Sequence, residues 1–194
     1  MKALTVNEIF YSLQGEGHRA GTPSIFIRLA GCDLACGFCD TEFKSGVEME
    51  PAQIYDRIKI HPCKWIVWTG GEPALQLDAE IVKAFKELRY QQAIETNGNN
   101  PIPPGLDWVV CSPKVADHVL VKNFPEGVDE LRYVRHAGQP GIPQPGIPAK
   151  QYFLSPVCDG ERLNMENVRH CIDLCLKHPQ WRLSLQTHKL LKIL

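Results

Sequence analysis

The chain has 194 residues, 44% of them hydrophobic and 22% charged, with a formal net charge of −1. That length suits one domain with a sizeable core, expected to span 1–194, and balanced charge argues against a nucleic-acid footprint or adhesion to acidic membrane. The opening MKALTVNEIF lacks the apolar core of a signal peptide and no run is long enough to cross a bilayer, so the eight cysteines are expected to be thiols in a reducing cytoplasm.

In chain order, the first strong apolar run is a strand at Ser24–Ala30. It leads into GCDLACGFCDT, with Cys32, Cys36 and Cys39 spaced C-x3-C-x2-C. Tetrahedral zinc takes four protein ligands, so a zinc site here needs a distant fourth such as His61 or Cys63. Three thiolates can instead hold three irons of a [4Fe–4S] cube and leave the fourth open to a small molecule. S-adenosylmethionine can chelate that iron through its amino and carboxylate groups, and its reductive cleavage yields a 5′-deoxyadenosyl radical.

Pro51 sits where a first helical turn tolerates proline, with Ile54 and Ile58 following. Strand Trp65–Thr69 ends in Gly70-Gly71-Glu72-Pro73, whose glycines let backbone approach a ligand and whose Glu72 can hold an ammonium. A second helix places Leu77, Ile81, Phe85 and Leu88 on one face. Strand Gln91–Thr96 ends in Glu95-Thr96-Asn97-Gly98, suited to a cofactor's sugar, and strand Trp108–Ser112 exits through Ser112-Pro113-Lys114, which supplies a hydroxyl and a cation.

Strand Glu130–Val134 follows, then a tandem of QPGIP over 139–148, expected as a stiff surface loop with a lid as the alternative. Strand Gln151–Ser155 ends at Pro156. A helix from Glu161 to His178 gathers Met165, Val168, Cys171, Ile172, Cys175 and Leu176 on one apolar face, which makes its cysteines core residues. Arg182–Gln186 is the last strand.

Strands alternating with helices argue for a parallel α/β sheet, and the helices are too few for eight βα units. The expected fold is a partial (truncated) TIM-like barrel with few helices, its chemistry at the C-terminal ends of the strands.

C-x3-C-x2-C followed by GGEP resembles the radical S-adenosylmethionine enzymes. NEIFYSLQGEG (7–17), FIRLAGC (26–32), CDT, TGGEP, ETNG, SPK and WRLSLQTHK (181–189) together resemble 7-carboxy-7-deazaguanine synthase. The resemblance implies radical-mediated ring contraction of 6-carboxy-5,6,7,8-tetrahydropterin with loss of ammonia, a lyase reaction of 7-deazapurine (queuosine-type) biosynthesis. It further implies a homodimer, Mg²⁺ and a flavodoxin- or ferredoxin-type electron donor.

Carried over by position, Leu13, Gln14, Gly15, Glu16, Arg28, Thr69 and the carboxylate of Leu194 are expected at the substrate. Phe38, Cys39, Asp40, Gly71, Glu72, Ser112, Pro113, Lys114, Ser155 and Pro156 are expected at S-adenosylmethionine, and Thr41 at Mg²⁺. Ser155-Pro156 stands where many relatives carry Gln-Pro. The rival readings are a glycyl-radical-enzyme activase and a non-enzymatic metal-binding or electron-transfer module.

Overall fold

Chemistry at strand ends requires a sheet that aligns those ends. The computed structural model, described for residues 1–37 and 42–194, contains such a sheet; Phe38, Cys39, Asp40 and Thr41 lie outside the described residues. The strands are β1 (Leu4–Leu13), β2 (Pro23–Leu29), β3 (Val47–Met49), β4 (Trp65–Gly70), β5 (Gln91–Thr96), β6 (Trp108–Cys111), β7 (Val128–Arg135), β8 (Ala149–Pro156), β9 (Cys158–Asp159), β10 (Arg162–Leu163) and β11 (Trp181–Leu183). The helices are α1 (Pro51–Ile58), α2 (Ala79–Glu87), α3 (Asp117–Asn123), α4 (Met165–Lys177) and α5 (Thr187–Leu191).

Nine strands pair in the order β11-β8-β7-β6-β5-β4-β2-β1-β3. From β2 to β11 every pairing is parallel, whereas β1 joins β2 and β3 antiparallel. The sheet leaves β11 and β3 as edges, in keeping with a truncated barrel.

Two faces are buried differently. Ile25, Ile27, Ile66 and Trp68 pack outward against Ile54, Ile58, Ile81 and Phe85 of α1 and α2. Trp68 makes an edge contact with Phe85 and donates its indole N–H to Gln92 Oε1 at 3.0 Å, so the outer layer has a satisfied polar centre. On the inner face Phe26 stacks on Phe10 at 4.9 Å, beside Val67 and Ala93. Arg28, Thr69, Glu95, Glu130 and Arg132 share that inner face by register.

The long strand β1 escaped the sequence reading, and its register explains why. A bulge between Val6 and Glu8 changes the alternation, so Leu4, Val6 and Ile9 face the outer core while Phe10 faces inward. A bulge breaks the period of two that marks a strand in sequence.

Helix α4 requires a correction. Val168, Cys171 and Leu174 are buried, but Met165, Ile172 and Leu176 are 52%, 39% and 77% exposed. Cys171 is a core residue and Cys175 packs beside the same cluster, as expected of small apolar side chains. The last strand is also shorter than expected, stopping at Leu183 before the unforeseen helix α5.

The QPGIP tandem is anchored as a loop. Arg135 Nη2 donates to the carbonyls of Pro140 and Gly141 at 3.2 and 2.7 Å, and the His170 ring lies 2.9 Å from the Gln139 carbonyl. Ile147 is buried and Ile142 packs by Trp181, which gives the stiff loop and not the lid.

Candidate active site

Three strand-exit loops meet at one carboxylate. Glu72 is fully buried; it accepts from Ala74 N at 3.0 Å, Thr96 Oγ1 at 2.9 Å and Asn97 N at 2.7 Å. Burial pushes its carboxyl up from the ordinary glutamate value. On the other side, the N–H groups of Gly71 and Glu72 donate to the carbonyls of Leu29 and Gly31, both at 2.9 Å. The exits of β2, β4 and β5 are thereby one hydrogen-bonded unit.

This changes the reading of GGEP. Its glycines serve backbone against backbone: a Cβ on Gly71 would sit 1.8 Å from the Gly31 carbonyl oxygen, and Gly70 has φ of 114°. The N–H groups of Gly71 and Glu72 are engaged with the β2 exit. Glu72 faces the protein, so its bearing on an ammonium runs through the loop it braces.

The thiol loop hangs on this unit. Cys32 and Cys36 are half-buried free thiols just past β2, and Cys39 lies outside the described residues. Between the two, Asp33 accepts from the side-chain amides of Asn97, Asn99 and Asn100 at 3.0, 2.7 and 2.6 Å. Lys114 donates to Ser112 Oγ at 2.6 Å; burial lowers its pKa, and the neighbouring Cys36 and Cys111 oppose that shift. Ser155, at the β8 exit beside buried Pro156, is buried with a hydroxyl that has no partner among the described residues.

These features suit the expected cofactors. Two free thiols on a braced loop match thiolate ligation of iron. The orphaned Ser155 hydroxyl provides the polar atom that a bound group or water would satisfy.

Residues expected at the substrate lie in a charge network. After β1 the loop 14–22 crosses the inner face. Gln14 Nε2 donates to Glu95 Oε1 at 3.0 Å, and Glu16 Oε2 lies 2.8 Å from Arg132 Nη1. Arg132 also forks onto Glu130 Oε1, at 3.0 Å from Nε and 2.9 Å from Nη2, and its Nη2 is 3.6 Å from Glu95 Oε1. Burial works against the charge on Arg132, but Glu16, Glu95 and Glu130 outweigh it and raise its pKa.

The same loop is gripped by the chain's last segment. Gly17 N donates to Ser184 Oγ at 2.9 Å, while Thr187 N and Oγ1 donate to the Gly15 carbonyl at 3.0 and 2.7 Å. A Cβ on Gly15 would collide with the His188 ring.

Other expected residues fall at varied places. Arg28 pairs with Glu8 at 2.9 Å, lies over the Phe10 ring and is in register with Thr69. Leu13 is exposed at the end of β1 opposite the thiol loop, and Leu194 is exposed with Leu190 and Leu191. Glu130, Arg132, Ser184 and Asp33 were not singled out from sequence, and Glu95, expected with its strand exit near the cofactor's sugar, sits in this charge network. DELRYV did carry a signal: charges at 130 and 132 alternate with Leu131 and Tyr133, which aims two charges at one face.

The family model of the radical SAM superfamily matches residues 26–133. A 7-carboxy-7-deazaguanine synthase of Bacteroides thetaiotaomicron is 42% identical over 188 residues, covering 97% of each chain. One from Bordetella pertussis is 37% identical over 220 residues, covering 98% of this chain and 99% of its own. The crystal structure of QueE from Escherichia coli superposes with a TM-score of 0.74 over 94% of this chain and 93% of that one; at 24% identity it bears on the fold. With its strand-exit thiols and truncated parallel sheet, the chain belongs to the 7-carboxy-7-deazaguanine synthase family of the radical SAM superfamily.

Proposed function

We propose that the chain converts 6-carboxy-5,6,7,8-tetrahydropterin to 7-carboxy-7-deazaguanine with loss of ammonia, as one radical SAM domain over 1–194. The observation that carries this is the convergence of Glu16, Glu95 and Gln14 on the inner face, within the sheet whose β2 exit bears the thiols. A pterin presents an edge of N–H donors like a guanidine, which carboxylates accept in bidentate fashion. A loop folded across that face suits a small molecule better than the polypeptide of a glycyl-radical activase.

The family's [4Fe–4S] cluster, held by Cys32, Cys36 and Cys39, and S-adenosylmethionine supply a hydrogen-abstracting radical when bound. This chain's residues do the rest. Glu16, Glu95 and Gln14 orient the ring. Arg28 offers its guanidinium to the substrate carboxylate in exchange for Glu8, beside Thr69, while Leu13 and Gly15 contribute from the loop side. The terminal carboxylate of Leu194 is a further acceptor. Phe38, Asp40, Gly71, Ser112, Pro113, Lys114, Ser155 and Pro156 hold the cofactor, with Glu72 bracing the loop. Thr41 supplies the protein's oxygen to Mg²⁺, a hard ion that keeps most of its waters.

The exposed Met165, Ile172 and Leu176 on α4 favour a homodimer. No helix among the described residues is long and apolar enough to cross a membrane, and a cytoplasmic enzyme reduced by a flavodoxin- or ferredoxin-type donor fits the free thiols. The test is anaerobic turnover of reconstituted protein with the carboxypterin and S-adenosylmethionine, with and without Mg²⁺. Formation of 7-carboxy-7-deazaguanine by mass and ultraviolet spectrum is expected; cofactor cleavage with no deazaguanine would overturn the substrate.

A further inference from the structure

The inner face buries one guanidinium among three carboxylates that come from three different elements. Arg132 and Glu130 belong to β7, Glu95 to β5 and Glu16 to the loop after β1. The Arg132 side chain is 6% exposed and Glu130 1%, against 17% for Glu16 and 25% for Glu95. Two of the four groups are therefore sealed in, and two reach the space above the sheet.

The sealed carboxylate is fully committed. Glu130 Oε1 takes two N–H groups of Arg132, and Oε2 takes the backbone N–H of His18 at 3.0 Å. Gly17 passes so close that a Cβ would lie 2.0 Å from Oε1. Glu130 thus has no room for a ligand and serves to aim the guanidinium. The remaining N–H groups of Arg132 reach Glu16 Oε2 and approach Glu95 Oε1. Glu95 Oε2 takes no hydrogen bond among the described residues.

Two carboxylates facing one space repel each other and splay unless a cation bridges them. A planar guanidinium with a fixed fork can bridge three carboxylates at set angles, which an ammonium cannot. We infer that Arg132 is a positioning residue: it holds Glu16 and Glu95 together as a paired acceptor for a substrate bearing adjacent N–H donors, with Glu130 fixing its orientation. This rests on the pterin reading above and names the residue behind its recognition. Arg132 does not touch substrate.

The test is kinetic, with reconstituted protein. Arg132→Lys keeps the charge and loses the fork. It is expected to raise KM for the carboxypterin roughly tenfold, with KM for S-adenosylmethionine, iron content and substrate-free cofactor cleavage unchanged. Arg132→Met is expected to raise it further.

Because Arg132 acts through Glu16, a double-mutant cycle separates this role from a merely structural one. In a Glu16→Gln background the penalty of Arg132→Lys should shrink to the part carried by Glu95, whereas independent effects would multiply. Full multiplicative effects, or a folded Arg132→Lys with wild-type substrate KM, overturn the proposal. If Arg132→Met does not fold, the lysine variant and the cycle decide alone. Wild-type protein in the same assay keeps the two readings apart: no deazaguanine there overturns the substrate, whereas normal wild-type turnover with unaffected variants overturns the role of Arg132.

Discussion

Cys32 and Cys36 lie on a strand-exit loop, whereas Cys171 is fully buried between α4 and the sheet, with its thiol pushed up to about 12 by burial. Cys32→Ala, Cys36→Ala and Cys39→Ala are each expected to abolish bound iron and turnover, because the three thiolates are the proposed protein bonds to the cluster. Cys171→Ala should keep both and lose about 1 kcal/mol of packing; iron analysis and urea melts on the four variants distinguish the groups. Asp33 adds a second residue-scale test. Burial alone would raise its carboxyl, but the three asparagine amides outweigh that and hold it low. The latch therefore contributes above the unfolded aspartate pKa of about 3.9 and is lost as pH falls through the depressed value. At neutral pH, Asp33→Ala should speed iron loss in air with the far-ultraviolet spectrum unchanged; wild-type retention of iron would show that the loop holds its shape without the latch.

At the scale of elements, the loops after β2, β4 and β5 hold together through Glu72. Glutamine offers one acceptor oxygen where three donors converge, so Glu72→Gln is expected to cost about 1–3 kcal/mol. A denaturant midpoint equal to wild type would mean the loops are held by backbone alone. Gly71→Ala should be worse for the cofactor site, since its Cβ would meet backbone at 1.8 Å; reduced S-adenosylmethionine affinity in a folded variant is the expected result. Helices α1 and α2 were legible because Ile54, Ile58, Ile81 and Phe85 repeat at helical spacing and face one core. Strand β1 was not, because its bulge hides the alternation, and α4 was misjudged in part because apolar residues at its flank stay exposed.

Across the whole molecule, residues 15–17 and 184–187 meet beside the inner face of the sheet. Thr187 and Ser184 hold the Gly15–Gly17 stretch, so the loop 14–22 is tied to residues 184–187. Thr187→Val is expected to raise carboxypterin KM several-fold, on the order of one lost hydrogen bond, with iron content unaffected. Residues appended after Leu194 should likewise weaken substrate binding and spare S-adenosylmethionine cleavage. Unchanged steady-state constants for an extended chain would remove the Leu194 carboxylate from the site.

The sequence by itself carried the cysteine spacing that marks the superfamily, the parallel α/β class and most sheet strands. These are local: ligand spacing within eight residues, and apolar runs whose length and composition mark a buried strand. Tertiary structure alone decided which polar residues look inward together. Glu16, Glu95, Glu130 and Arg132 are scattered over 117 positions, and only the strand register and the fold-back of loop 14–22 bring their charges within hydrogen-bond reach. It likewise showed Glu72 and the paired glycines bracing neighbouring strand exits, because backbone packing between those exits is a long-range fact that no short motif carries.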